Sequence, residues 1–229
     1  MPDALNHAPE PLDPELVEPE SQAPAARLRK RPKPGERRVQ ILQALASMLE
    51  QPGGERITTA ALAARLDVSE AALYRHFASK AQMFEGLIEF IEQTVFTLIN
   101  QILEREKPAG DTDAAAGLRQ AAKVVAMLVQ FAEKNPGMAR VMVGDALVFE
   151  NERLQQRMNQ FFDKIEATLR QCLRDGTPTS ASATPTVDAQ VLASVLAAFV
   201  GGRLQRFVRS GYKRQPSEYL DASLRAMLG

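Results

Sequence analysis

The chain has 229 residues, 45% hydrophobic and 24% charged, which is enough apolar material for a real core beneath a soluble surface. No stretch approaches the roughly 18 uncharged apolar residues of a membrane span, and the first 26 residues lack the Lys, Arg and apolar run of a signal peptide. A lone cysteine, Cys172, cannot close an intramolecular disulfide and points to the cytoplasm, while His7 and His76 lie far apart, so a zinc enzyme, a thiol redox enzyme and a disulfide scaffold are all disfavoured and no metal or cofactor is expected.

The net charge of zero conceals a split. Residues 1–26 carry six acids and no Lys or Arg, residues 27–84 carry eleven bases against five acids, and the remainder balances at 17 against 17. A basic block on a neutral body is the footprint of an anion-binding head, with nucleic acid the leading candidate and a solvated charge run the plain alternative.

In chain order, residues 1–34 hold eight of the fourteen prolines among acids and alanines and read as a disordered tail ending in a basic arm at 27–34. From Glu36 the apolar residues Val39, Leu42, Leu45, Ala46 and Leu49 recur at three- and four-residue steps, and Pro52-Gly53-Gly54 stops that helix. Two short helices are expected near 59–66 and 70–77, then a long one from Lys80 to about Glu106. A loop at 108–111 precedes a helix over about 114–134, which stops at Asn135-Pro136-Gly137. A short apolar helix near 138–148 leads into an amphipathic one from about Asn151 to Arg174. Residues 175–186 are low-complexity and expected to be mobile, and helices at about 187–210 and 217–228 complete the chain. With no strand pattern and no repeat, the fold class is all-α. The tail and arm span 1–34, a small helical head 35–82, and a larger helical body 83–229.

Residues 58–77 carry the sharpest signal. Ala63, Leu66, Val68 and Leu73 supply small apolar contacts for two short helices that cross closely. Thr58 can cap the first helix and Ser69 the second, and Asp67 opens the turn, where a left-handed backbone is often needed and Asp tolerates it. After three small or short residues at its start, the second helix presents Tyr74, Arg75 and His76, as suits a probe for a major groove about 12 Å wide. Ser79 to Gln82 fits a capping box whose free N–H groups, with Lys80 beside them, would seat a phosphate. An ordinary helix start reads the same way. The expected DNA-contacting set is therefore Thr58, Thr59, Ser69, Glu70, Ala71, Tyr74, Arg75, His76 and Lys80.

Arg56-Ile57-Thr58-Thr59-Ala60, with Leu62-Ala63, then residues 68–77 (VSEAALYRHF) and Ser79-Lys80, resemble the head of the TetR family of dimeric DNA-binding proteins. Met83-Phe84, residues 87–92 (LIEFIE), Asn135-Pro136-Gly137, Asn159-Gln160, Ile165-Glu166-Ala167, Leu169-Arg170-Gln171 and residues 206–210 (RFVRS) extend the resemblance to that family's nucleoid occlusion branch, over about 36–220. The N-terminal extension and the 175–186 loop depart from it. The resemblance implies binding to palindromic sites scattered over the chromosome, antagonism of FtsZ assembly while DNA-bound, and a homodimer formed through the last two long helices.

In the body, Phe84, Leu87, Ile88, Ile91, Val95, Leu98 and Ile102 form one core stripe on the helix from Lys80. Phe90 lies roughly 120° from Phe84 around that helix, so it is either a partner anchor or a ring covered by a neighbouring helix. Leu154, Met158, Phe161, Ile165, Thr168 and Cys172 form a second seam, with Cys172 a small buried apolar residue. Gly201-Gly202 inside an Ala-rich helix suits close helix approach between subunits, or an intrachain contact or kink. A ligand-responsive repressor is the runner-up function. An enzyme finds no nucleophile–base–orienter set, and Glu89 and Glu92 are commonplace on a solvated helix face.

Overall fold

Helices form where the apolar period runs, and most begin or break at residues the chain marks in advance. The computed structural model describes residues 35–51, 57–107, 115–148, 150–176 and 184–229. Among the described residues are nine α-helices, one 3₁₀ turn and no strand. The helices are α1 (Glu36–Leu49), α2 (Thr59–Arg65), α3 (Glu70–Tyr74), α4 (Lys80–Arg105), α5 (Ala116–Lys134), α6 (Pro136–Met142), α7 (Glu152–Gly176), α8 (Pro185–Arg209) and α9 (Leu220–Leu228). The acidic tail and basic arm, the Pro52-Gly53-Gly54 stop, Arg56, the 108–111 loop and residues 177–183 lie outside the described residues.

Several expected boundaries move. α3 closes at Tyr74, and Arg75 and His76 sit in the turn after it rather than on the helix. The helix expected near 138–148 is two pieces: Gly144 adopts φ 78°, which ends α6 and starts a 3₁₀ turn at Asp145–Leu147. α7 and α8 extend to Gly176 and from Pro185, so helix takes both edges of the stretch expected to be mobile. The last helix begins at Leu220 after turns.

Described residues from Lys33 onward belong to one compact unit. α1 buries Ile41, Leu42, Leu45, Ala46 and Leu49, whereas Val39 stays exposed. These side chains share one core with Leu62, Leu73 and Phe77 of the head and with Met83, Phe84, Leu87 and Ile88 of α4. Further along α4 the stripe thins: Ile91, Val95 and Ile99 are buried, but Leu98 and Ile102 only partly so. α5, α7 and α8 pack together as the body, with the α7 seam filled by Leu154, Met158, Phe161, Ile165, Leu169 and Cys172, all under 5% exposed. Thr168 stands at the edge of that seam. α8 comes nearest to a membrane span by length and composition, yet Ala193, Leu196, Val200, Leu204 and Phe207 are buried within the protein.

Candidate nucleic-acid interface

The two short helices are held by side chains written into the sequence. Thr58 Oγ1 accepts from the Ala61 N–H at 3.1 Å, and Ser69 Oγ accepts from the Ala72 N–H at 3.3 Å. Between them Asp67 takes φ 54°, the left-handed turn position. Leu62, Ala63 and Leu73 face inward, so Thr58, Glu70, Ala71, Tyr74, Arg75 and His76 are left exposed on the outer side, with Thr59 partly exposed. Tyr74 retains 45% of its surface, unusual for a large ring with nothing to cover it.

Three of these residues touch one another. Thr59 Oγ1 donates to Glu70 Oε2 at 2.5 Å, and Tyr74 Oη donates to Thr59 Oγ1 at 3.5 Å. The chain links α2 to α3 and sets the angle at which the Tyr74 hydroxyl leaves the surface. Glu70 is an acceptor only, the polarity that pairs with a cytosine amino group in the major groove. Arg38 of α1 buttresses the same end from below: its guanidinium lies 4.2 Å from the Phe77 ring centroid, and Nη1 donates to the His76 carbonyl at 3.1 Å. Motif reading did not single out Arg38, because a partner 38 residues away leaves no local pattern.

At the start of α4, Ser79 Oγ accepts from the Gln82 N–H at 3.2 Å, and Gln82 Oε1 accepts from the Ala78 N–H at 2.9 Å, a capping box shifted by one residue. Lys80 is placed differently from expectation. Its ammonium is ion-paired to Glu150 Oε1 at 2.5 Å and lies 5.6 Å from the Phe84 ring centroid, leaving its side chain 21% exposed. Within the free chain this lysine is directed inward, and a phosphate would have to share or exchange it with Glu150. Two further ion pairs run along the same seam, Arg153–Glu85 at 3.5 Å and Arg157–Glu92 at 2.9 Å. Glu92, read as an ordinary surface acid, is thus an α4–α7 tie. Phe90 is half-buried against the core, intermediate between anchor and filler.

The far end of α1 is also read by the body. The Leu49 carbonyl accepts from Arg140 Nη1 at 3.2 Å and from Tyr212 Oη at 3.0 Å. An open cleft of about 330 Å³ lies elsewhere, lined by Gln155, Asn159, Gln205 and Arg209 with Met142 and Met158. No group of His, Cys, Asp and Glu among the described residues could hold a metal ion.

Comparison with known proteins follows this division. A model of the bacterial regulatory proteins, tetR family, matches residues 41–87, and a model of the tetracyclin repressor-like, C-terminal domain (SlmA-like) matches residues 116–228. The chain is 49% identical over 191 residues to the nucleoid occlusion factor SlmA of Idiomarina loihiensis, covering 83% of this chain and 93% of that protein. It is 53% identical over 186 residues to the nucleoid occlusion factor SlmA of Photobacterium profundum, covering 81% and 90%. Solved structures share the fold: the transcriptional regulator FadR from Bacillus subtilis, in complex with stearoyl-CoA, superposes with a TM-score of 0.63 at 14% identity over 83% of this chain and 97% of that one. A TetR-family transcriptional regulator from Bordetella parapertussis gives 0.60 at 15% identity, over 85% and 95%.

Proposed function

This chain belongs to the SlmA family of nucleoid occlusion factors within the TetR-type DNA-binding proteins, and from that premise we propose that it binds palindromic chromosomal sites and, while bound, antagonises FtsZ assembly so that septation avoids the nucleoid. It acts by binding rather than by catalysis, in the cytoplasm and on the nucleoid. The observation that carries the DNA half of this reading is the capped, left-handed-turn geometry that leaves Tyr74, Arg75 and His76 exposed together at the end of α3. Tyr74, Arg75, His76 and Glu70 face the groove in this reading; Thr58, Thr59, Ser69 and Ala71 approach the backbone beside them, and Lys80 shifts from Glu150 to a phosphate.

Two-fold recognition of a palindrome needs two heads about one DNA turn apart, roughly 34–36 Å. α8 supports a homodimer. Val187, Val191 and Val195 recur at four-residue steps on it and are 58%, 59% and 45% exposed. A Cβ at Gly201 or Gly202 would meet nothing within 4 Å among the described residues, and α8 runs through the pair as one helix. An apolar stripe of this kind is a helix face awaiting a second copy. A ligand-responsive repressor has less support, because SlmA relatives about 50% identical over most of the chain favour the nucleoid occlusion reading.

Phe90 is the candidate FtsZ contact. It is half-buried on the helix whose start lies at the head, about 15 Å away along the axis. The decisive experiment pairs a genome-wide binding map with light scattering of FtsZ polymers in GTP, with and without a bound DNA site. Dozens of dispersed sites and DNA-stimulated loss of scattering are expected; a single promoter and unaffected polymers would replace this reading with the repressor. Phe90→Ala should keep DNA binding and lose the effect on polymers.

A further inference from the structure

The end of α1 is an unusual place for two distant elements to meet. α1 has no basic residue in its last turn to offset its negative end. The body supplies that charge: Arg140 of α6 reaches the Leu49 carbonyl at 3.2 Å and the Gln51 carbonyl at 3.5 Å, and its Nε is steadied by Asp145 at 2.7 Å. α6 comes close enough to do this because residue 137 has no side chain; a Cβ there would stand 1.9 Å from the Ala46 carbonyl oxygen.

Tyr212 arrives at the same carbonyl from the other direction. α8 ends in a Schellman motif, with the Gly211 N–H donating to the Val208 carbonyl and the Tyr212 N–H to the Phe207 carbonyl, both at 3.0 Å. That motif puts Gly211 at φ 61°, and Tyr212 after it takes φ 65° as well, a left-handed conformation that a bulky side chain adopts only when its surroundings impose it. The ring then packs on Phe207, centroids 5.2 Å apart, and Oη donates to Leu49 at 3.0 Å. Burial pushes the Tyr212 hydroxyl up from its ordinary value.

We infer that Tyr212 and Arg140 are positioning residues for DNA recognition: on one carbonyl at the end of α1, Arg140 brings in α6 and Tyr212 the end of α8, and together they act as a clamp that fixes the head relative to the helix that carries the exposed valine stripe. The clamp rests on the two-headed DNA-binding reading above. It assigns a role in recognition to a hydroxyl at the Leu49 end of α1, the end opposite Arg38 and the His76 carbonyl. A head held at α8 has a set distance to its twin across the dimer, and a head released from α8 does not.

The test separates positioning from plain stability. A duplex is selected from a random-sequence pool by the unmodified protein. Its affinity is measured by fluorescence anisotropy, and again after one base pair is inserted at the centre of symmetry, which parts the half-sites by about 3.4 Å. Tyr212→Phe keeps the ring and removes only the hydroxyl; Arg140→Gln removes the cation and serves if the first variant fails to fold. The insertion should weaken the unmodified protein by about tenfold or more and either variant by about threefold or less. An insertion penalty that is unchanged or larger in the variants, whatever their absolute affinity or thermal midpoint, overturns the clamp while leaving DNA binding in place. An unmodified protein that selects no palindrome, or tolerates the insertion, overturns the two-headed reading and the clamp together.

Discussion

The head and the body of this protein keep their shapes by different means. α2 and α3 have seven and five residues and bury only Leu62, Ala63 and Leu73 between them. They stand because hydroxyl caps satisfy their first N–H groups and because they share a core with α1 and α4. α7 has 25 residues and buries a side chain at nearly every turn. A helix of α7's length pays little attention to its caps, whereas helices as short as α2 and α3 are not stable without tertiary support. The contrast teaches that the head's outer surface owes its geometry to elements outside itself, above all to Phe77, α4 and the close crossing of α6 on α1.

The strongest way to break that comparison is to remove the shared contact. Phe77→Ala deletes a fully buried ring beneath Arg38 and should cost about 3–5 kcal/mol. In urea denaturation followed by head and body probes, the head should melt first and leave a body transition behind. One unchanged cooperative transition would show that the two regions are not held separately.

Gly137→Ala attacks the crossing of α6 on α1. The new methyl meets backbone rather than a movable side chain, so a loss of about 1–3 kcal/mol is expected, together with greater hydrogen exchange in α1 than in α7. Unaltered stability would mean that α6 can shift freely and that the head is not tied there.

Ser69→Ala sharpens the comparison at smaller cost. Losing the Ala72 N–H partner should destabilise the head by about 1 kcal/mol and raise exchange at α3 without touching the body. Equal loosening of α3 and α7 would argue against local control by caps.

The smallest effect belongs to the body's surface. Hydrogen bonding from Lys123, with Arg119 nearby, holds the Glu106 carboxyl below its ordinary value. A carboxyl depressed on folding contributes stability above its unfolded value, about 4.3, and that contribution disappears as pH falls through the lowered folded value. Glu106→Gln should therefore lower the thermal midpoint slightly at pH 7 and converge with the unmodified protein in acid. A constant gap from pH 7 to pH 3 would remove ion pairing as the cause.

Much of this was legible in advance, and the reasons are local. Thr58 and Ser69 announce caps by their own chemistry, because each acts on backbone three residues away, and Asp67 announces a left-handed turn because its own backbone tolerates one. The α4 stripe from Phe84 to Val95 follows from the helical period. What failed to show were the partners across the fold. Lys80 reads as a phosphate seat until Glu150, 70 residues later, is seen to hold it. Phe90 reads as off the core stripe, yet the packing of neighbouring helices leaves it half-buried.

By itself the sequence determined the all-α class, the order of the helices, the helix-turn-helix and its family. Those depend on period and on short-range hydrogen bonding, which the order of residues specifies directly. Only the tertiary structure decided that Lys80 faces inward, that α8 leaves its valines uncovered, and that Arg140 and Tyr212 converge on one carbonyl of α1. A helical period says which residues share a face; it cannot say which element covers that face, because any apolar surface will accept another and any charge an opposite one, until chain connectivity and packing choose between them.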